Sequence, residues 1–142
     1  MKFKTDVPGT ITGIRFYKGS GNTGTHVGIL WSSTGQLLAS AIFSGETASG
    51  WQQVNFSAPV AITANRVYVA SYHTSVGHYS DDQNYFSKKG VDRPPLHLLQ
   101  NGISGVDGVL VYGAAISCPK QGWHSSNYWV DVVFNPGTAP AP

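Results

Sequence analysis

Histidines, aspartates and aromatic rings are concentrated in one stretch of the chain, residues 72–86. This stretch follows a strand-like run and holds two histidines, two aspartates, an asparagine and four aromatic rings. A loop that only joins two strands is usually short and built from Gly, Pro, Ser and Asn. Rings on a loop carry apolar area that must be covered or used. The stretch is therefore expected either to fold back over the core or to line a ligand site.

Sugar binding is the chemistry best suited to these residue types. An aromatic face packs against the apolar C–H face of a sugar, and neighbouring polar groups bind its hydroxyls. The candidate binding residues are Tyr72, His73, His78, Tyr79, Asp82, Asn84, Tyr85 and Trp123. Within this set, Tyr79 and Tyr85 are expected to stack on the ligand. Hydrogen bonds are expected from His78, Asp82 and Asn84.

The alternative for every ring is that it fills the core. Rings within predicted strands are expected to be buried, and these are Trp31, Trp51 and Trp129. For rings on loops, core packing and ligand binding both stay open, and these are Tyr79, Tyr85 and Trp123.

The same stretch offers oxygen atoms to a cation. Calcium accepts oxygen ligands from irregular loops, and Asp81, Asp82 and Asn84 could supply them with loop carbonyls. The alternative is an Asp/Asn turn that bonds its own backbone amides. Zinc has less support, because the chain has no His-Glu-x-x-His motif and no paired Cys. We expect no cofactor other than a structural calcium at Asp81 and Asp82.

Signatures of catalysis are missing from the sequence. A hydrolase needs a nucleophile with a base, or two carboxylates that face one bond. The chain has no Gly-x-Ser-x-Gly elbow, and nothing in the spacing of its seven acidic residues indicates a pair. Cys118, alone and beside Pro119, is interpreted as an incidental thiol. We therefore expect the protein not to be an enzyme.

The rest of the chain predicts an all-β domain that would position this stretch. Charged residues are 11% against a usual share of about 25%, and 17 glycines accompany many β-branched residues. Alternating patterns predict strands over residues 10–17, 26–32, 36–43, 51–56, 66–72, 109–112 and 128–134. Ala58-Pro59 is expected to interrupt the fourth strand, which resumes over residues 60–62. These patterns predict an antiparallel β-sandwich, jelly-roll-like, with about eight to ten strands.

Composition also predicts the extent of the domain and limits the kinds of partner it could bind. Residues 1–134 are expected to form one module, followed by a Pro/Ala-rich linker over residues 135–142 that leads to neighbouring modules. The net charge of +2 and the small basic group at residues 88–93 are too little for a nucleic-acid partner. Membrane insertion is not expected, since no apolar run approaches the ~20 residues that cross a bilayer.

A set of motifs spread over nearly the whole chain carries a resemblance to a known family. The motifs are TITGIRFYK (10–18), NTGTHVG (22–28), LW (30–31), ASGWQ (48–52), YVASYH (68–73), GHY (77–79) and NYWVDVVF (127–134). Over residues 3–134 the chain resembles the domain-of-unknown-function family 4082, while Cys118 departs from its pattern. Members occur in secreted or surface bacterial proteins beside immunoglobulin-like, fibronectin-like and glycan-processing modules. The resemblance implies an extracellular or cell-surface accessory β-sandwich and supplies no activity.

Together these patterns predict a non-catalytic carbohydrate-binding accessory module of a secreted or cell-surface multidomain bacterial protein. Its expected partners are a polysaccharide or cell-surface glycan and the neighbouring modules of the same chain. The alternative is a structural spacer or adhesion domain, in which residues 72–86 form a packed lid.

Overall fold

A computed structural model of the chain describes residues 1–105, 109–113 and 115–137. Among these residues, no helix is long and apolar enough to cross a membrane. The strands found there are β1 (Lys2–Thr5), β2 (Gly9–Lys18), β3 (His26–Ser32), β4 (Leu37–Ile42), β5 (Gly50–Ile62), β6 (Tyr68–Thr74), β7 (Val91–Arg93), β8 (Leu96–Leu98), β9 (Val109–Leu110), β10 (Gln121–Gly122) and β11 (Val130–Pro136).

Two antiparallel sheets make up the body of the domain. The large sheet has the strand order β4-β3-β6-β1-β8-β7, and the small sheet has the order β11-β2-β5. Strands β9 and β10 form a separate short pair. The described part of the chain thus confirms the prediction of an all-β, sandwich-like fold.

Alternating side chains of the two sheets meet in one core. Phe3 of the large sheet and Ile14 and Phe16 of the small sheet are fully buried. Phe16 stacks on Tyr72 with ring centroids 4.4 Å apart and meets Phe43 edge-on at 4.8 Å. Burying a side chain of this size contributes about 1.5–3 kcal/mol, so these rings hold the sheets face to face.

Two features of the strands differ from the sequence prediction. The short strand β1 was not predicted, yet it pairs with both β6 and β8. The predicted break at Ala58-Pro59 is wrong, because β5 runs through both residues. The register between β5 and β2 shifts between Ile11 and Gly13, and β5 lies at the sheet edge. An edge position tolerates a proline, since its missing N–H removes no bond from the sheet interior.

The C-terminal strand continues past the predicted module boundary. Asn135 and Pro136 belong to β11 and pair with Thr10 and Gly9 of β2. Residues 138–142 lie outside the described residues. The linker therefore stays a prediction for that part of the chain.

Candidate functional site

Residues 72–86 run along two different parts of the surface. The first half lines a cavity beside the large sheet, and the second half reaches the outer face of the small sheet. Phe86 is fully buried and anchors the end of the stretch in the core. Its N–H donates to the carbonyl of Ser125 at 2.9 Å, and its carbonyl accepts from the N–H of Asn101 at 2.8 Å. The stretch is therefore held from both sides by core packing and backbone bonds.

The first half of the stretch supplies Tyr72, His73 and Tyr79 to a cavity of about 580 Å³. We call it the tyrosine cavity, because Tyr112 and Tyr128 also line it. Its volume lies within the range of small-molecule sites, about 300–1,000 Å³. Three of the candidate residues are thus brought together at this cavity.

The hydroxyl of Tyr79 already forms a hydrogen bond within the protein. Its hydroxyl lies 2.7 Å from the hydroxyl of Tyr112, and its ring meets Tyr128 edge-on at 5.3 Å. The hydrogen bond with Tyr112, together with partial burial, raises the pKa of Tyr79 to about 12. Burial likewise raises the pKa of Tyr72 above its usual range. Both side chains are therefore neutral phenols, and Tyr79 serves the packing of the cavity wall.

The second half of the stretch brings Asp82 and Tyr85 to the outer face of the small sheet. Asp82 exchanges two backbone hydrogen bonds with Asn127, at 2.9 and 3.0 Å. The carboxylate of Asp82 accepts a hydrogen bond from the indole N–H of Trp129 at 2.6 Å. The ring of Tyr85 packs edge-on against Trp129 at 5.5 Å. These contacts join the stretch to rings carried by the strands.

Four rings form what we call the aromatic surface: Tyr17, Trp51, Tyr85 and Trp129. Tyr17 of β2 and Trp51 of β5 are cross-strand partners with ring centroids 5.7 Å apart. Trp51 lies 6.4 Å from Trp129. Tyr17, Trp51 and Tyr85 are 43%, 42% and 38% exposed, so the surface offers a row of rings to solvent. Edge-to-face contacts of this kind favour fixed ring positions.

The backbone of Trp129 is held in an uncommon conformation. Its φ of 54° lies in the left-handed region, which large side chains rarely adopt. The N–H of Trp129 donates to Oδ1 of Asn127 at 2.7 Å, and its carbonyl accepts from the N–H of Tyr17 at 2.9 Å. The side chain is fixed by Asp82. Such conformations persist where the surroundings enforce them, and they cluster at functional sites.

Polar groups adjoin the rings on the same outer face. The guanidinium of Arg15 lies 4.8 Å from the ring centroid of Trp51, a cation–π contact. Asp131 is the cross-strand partner of Arg15, and partial burial raises its pKa. Gln53 and Asn55 are exposed on β5, where the Gln53 amide donates to Oδ1 of Asn55 at 3.1 Å. The aromatic surface is therefore bordered by amides and a few charges.

The remaining candidates are placed elsewhere. His78 is exposed and lies beside Gly21, in the loop between β2 and β3. Trp123 is 55% exposed, and its ring meets the ring of His124 edge-on with centroids 4.3 Å apart. Asn84 adopts a φ of 63°, and its N–H donates to the His124 carbonyl at 2.6 Å. Within the described residues, none of these three candidate side chains forms a ring contact or hydrogen bond with the aromatic surface. The eight candidates are thus divided among the tyrosine cavity, the aromatic surface and other parts of the described surface.

The calcium expectation gains no support from the geometry. In the described ranges, no group of three or more His, Cys, Asp or Glu side chains could hold a metal ion. One carboxylate oxygen of Asp82 is taken by the Trp129 indole. A calcium ion at Asp81 and Asp82 therefore stays a prediction from the sequence.

Burial of the strand tryptophans was predicted correctly for one of three. Trp31 is 5% exposed, and its indole donates to the hydroxyl of Ser71 at 2.8 Å. The prediction is wrong for Trp51, which is 42% exposed on the outer face of the small sheet, while Trp129 is half-buried. In β5 it is Gln52 that faces inward, because its side-chain amide bonds the backbone and hydroxyl of Thr47 at 3.0 and 2.7 Å.

Sequence reasoning missed Tyr17 and Arg15 as members of the site. The available signal was the alternation in β2, which places both opposite to Ile14 and Phe16. Their meeting with Trp51 depends on the register between β2 and β5. That register is a long-range property which no local pattern specifies.

The molecule is thus an all-β sandwich domain with an exposed aromatic surface on its small sheet. Residues 1–130 match the family Domain of unknown function (DUF4082), and the chain belongs to that family. This confirms the family resemblance. No curated protein and no solved structure matches the chain.

Proposed function

We propose that the protein is a non-catalytic carbohydrate-binding accessory module of a secreted or cell-surface protein, and that the glycan lies on the aromatic surface. The observation that carries this proposal is the row Tyr17, Trp51, Trp129 and Tyr85. Its rings follow one another at 5.5–6.4 Å, and three of them are 38–43% exposed. Soluble domains rarely expose neighbouring large rings unless the patch contacts a partner.

Sugars suit this surface chemically. An exposed ring packs against the C–H face of a pyranose, and the bordering polar groups can bind its hydroxyls. Gln53, Asn55 and the free positions on the Asp82 carboxylate offer both donors and acceptors beside the rings. One such open surface binds weakly by itself, so attachment to neighbouring modules would raise the effective affinity.

The aromatic surface supports this function better than the tyrosine cavity does. In the cavity, the hydroxyls of Tyr79 and Tyr112 bond each other, and Tyr79 packs against Tyr128. On the aromatic surface, three of the four rings are 38–43% exposed, and Tyr17 and Trp51 are held by paired strands. This moves the proposed stacking role from Tyr79 to Trp51 and Trp129, and it retains Tyr85.

Affinity electrophoresis in gels that contain soluble polysaccharides tests the proposal. The variants are Trp51→Ala and, as a matched control, Trp123→Ala, which also removes an exposed indole but lies outside the aromatic surface. We expect at least one polysaccharide to retard the parent. Trp51→Ala should weaken that retardation by about tenfold or more, as expected for a central anchor, while Trp123→Ala should not.

Two results would contradict the proposal. If no polysaccharide retards the parent, the domain is a spacer or adhesion module without glycan binding. If Trp123→Ala abolishes retardation and Trp51→Ala leaves it intact, the glycan lies elsewhere on the domain. Circular dichroism of each variant identifies a loss of binding that comes from a loss of fold.

A further inference from the structure

On the basis of the proposed function, we infer that the ligand is an uncharged polysaccharide bound along internal residues of its chain. Shape is the first argument. The row of rings crosses the small sheet from Trp51 on the edge strand β5 to Trp129 before β11, and it continues to Tyr85. The planes of neighbouring rings are inclined to one another by 69–85°, so one sugar cannot stack on two of them and a ligand that contacts several rings must extend over several sugars.

Openness is the second argument. Three rings of the aromatic surface are 38–43% exposed, and two of these, Tyr17 and Trp51, are carried by paired strands of the small sheet. Recognition of a chain end requires walls that enclose the terminal sugar, whereas an open face lets the polymer continue in both directions. The rings are displayed on the outer face of a sheet, where side chains alternate away from the core. This geometry selects internal residues of a polymer over its ends.

Charge is the third argument. The positive group beside the rings is Arg15, whose guanidinium is placed over the Trp51 ring. Two carboxylates lie in the same region, Asp82 against Trp129 and Asp131 opposite Arg15. Of these three charged groups two are negative and one is positive, which disfavours a polyuronate. The exposed amides of Gln53 and Asn55 instead offer neutral hydrogen bonds.

The experiment uses the parent protein in gels with three neutral polymers, hydroxyethylcellulose, glucomannan and mixed-linkage β-glucan, and with polygalacturonate. We expect a neutral polymer to retard the protein and polygalacturonate not to. Retardation should persist when sodium chloride is raised to about 0.5 M, because salt screens charges and not ring stacking. The hexasaccharide of the retarding polymer should compete at least about tenfold better than its monosaccharide, since only the longer ligand reaches several rings.

Other outcomes of this experiment would each contradict a stated part of the inference. Retardation by polygalacturonate alone contradicts the uncharged ligand. Equal competition by monosaccharide and hexasaccharide contradicts binding along the chain and indicates an end-binding site. In both cases the proposed function stands, because a glycan binds. If none of the four polymers retards the protein, the inference is wrong, and the proposed function is wrong as well if no other polysaccharide retards it.

Discussion

The aromatic surface and the tyrosine cavity use the same residue types for opposite purposes. They meet at two consecutive residues, Tyr128, which lines the cavity, and Trp129, which belongs to the surface. In the cavity, Tyr79 and Tyr112 bond each other and the ring of Tyr79 packs on Tyr128. On the surface, rings from β2, β5 and residues 72–86 are fixed at their edges and remain exposed. Ring content alone therefore does not identify a binding site; the position of the rings relative to the sheet does.

A buried residue at the end of residues 72–86 anchors the stretch that contributes to both regions. Phe86 is fully buried and ends the stretch that contributes to both. Tyr85, its neighbour in sequence, packs on it edge-on at 5.2 Å and faces solvent. One buried ring thus positions one exposed ring, which ties the aromatic surface to the stability of the core.

The largest expected effect comes from removing that anchor. Phe86→Ala should lower the free energy of unfolding by about 3–5 kcal/mol, because it deletes a fully buried aromatic ring and leaves a cavity. The adjacent change Tyr85→Ala should cost much less, since Tyr85 is 38% exposed. Urea denaturation of both variants measures the difference. Equal losses would show that Phe86 is not the anchor.

The next largest effect is on glycan affinity, and it distinguishes the aromatic surface from the tyrosine cavity. Tyr85→Ala should reduce glycan affinity about three- to tenfold, because the ring belongs to the aromatic surface. Tyr79→Ala should leave the affinity within about twofold of the parent, because the ring faces the cavity. Affinity electrophoresis on the retarding polysaccharide measures both. A larger loss from Tyr79→Ala would move the binding site to the tyrosine cavity.

The smallest effect concerns pH and lies outside both regions. His97 in β8 contacts Asp6 at 2.8 Å and Asp92 at 2.7 Å, and hydrogen bonding to Asp6 and then Asp92 raises its pKa. A raised folded pKa gives stability that is full below the unfolded value of about 6.5 and is lost as pH rises through the folded pKa. The melting temperature of the parent should therefore fall with pH above about 6.5 more than that of His97→Gln.

An exposed histidine provides the control for this pH effect. His78 lies on the surface beside Gly21, and no ion pair involves it in the described part of the chain. His78→Gln should keep the pH dependence of the parent. Identical slopes for the parent and His97→Gln would show that the Asp6–His97–Asp92 contacts contribute nothing to stability.

Much of the fold was predictable because alternation assigns residues to two faces. Alternation in β2 places Phe16 and Tyr17 on opposite faces, and alternation in β6 places Tyr68 and Tyr72 on one face, as the structure has them. Alternation does not say which face points inward. In β5, residue type favours burial of a tryptophan over a glutamine, yet the bonds to a neighbouring loop bury Gln52.

The candidate site was predictable only in part, because it depends on long-range contacts. The sequence singled out residues 72–86, and two of these residues, Tyr85 and Asp82, contact Trp129 of the aromatic surface. The register that pairs Tyr17 with Trp51 and the left-handed backbone of Trp129 follow from the assembled sheet. No local pattern contains either feature.

Indole N–H signals in a nuclear magnetic resonance titration test the central claim most directly. The four tryptophans include one in the core, Trp31, and one exposed outside the aromatic surface, Trp123. On addition of a soluble hexasaccharide of the retarding polymer, the indole signals of Trp51 and Trp129 should shift together, while those of Trp31 and Trp123 stay in place. Shifts confined to Trp123, or to tyrosines of the cavity with all four indoles unchanged, would contradict the account.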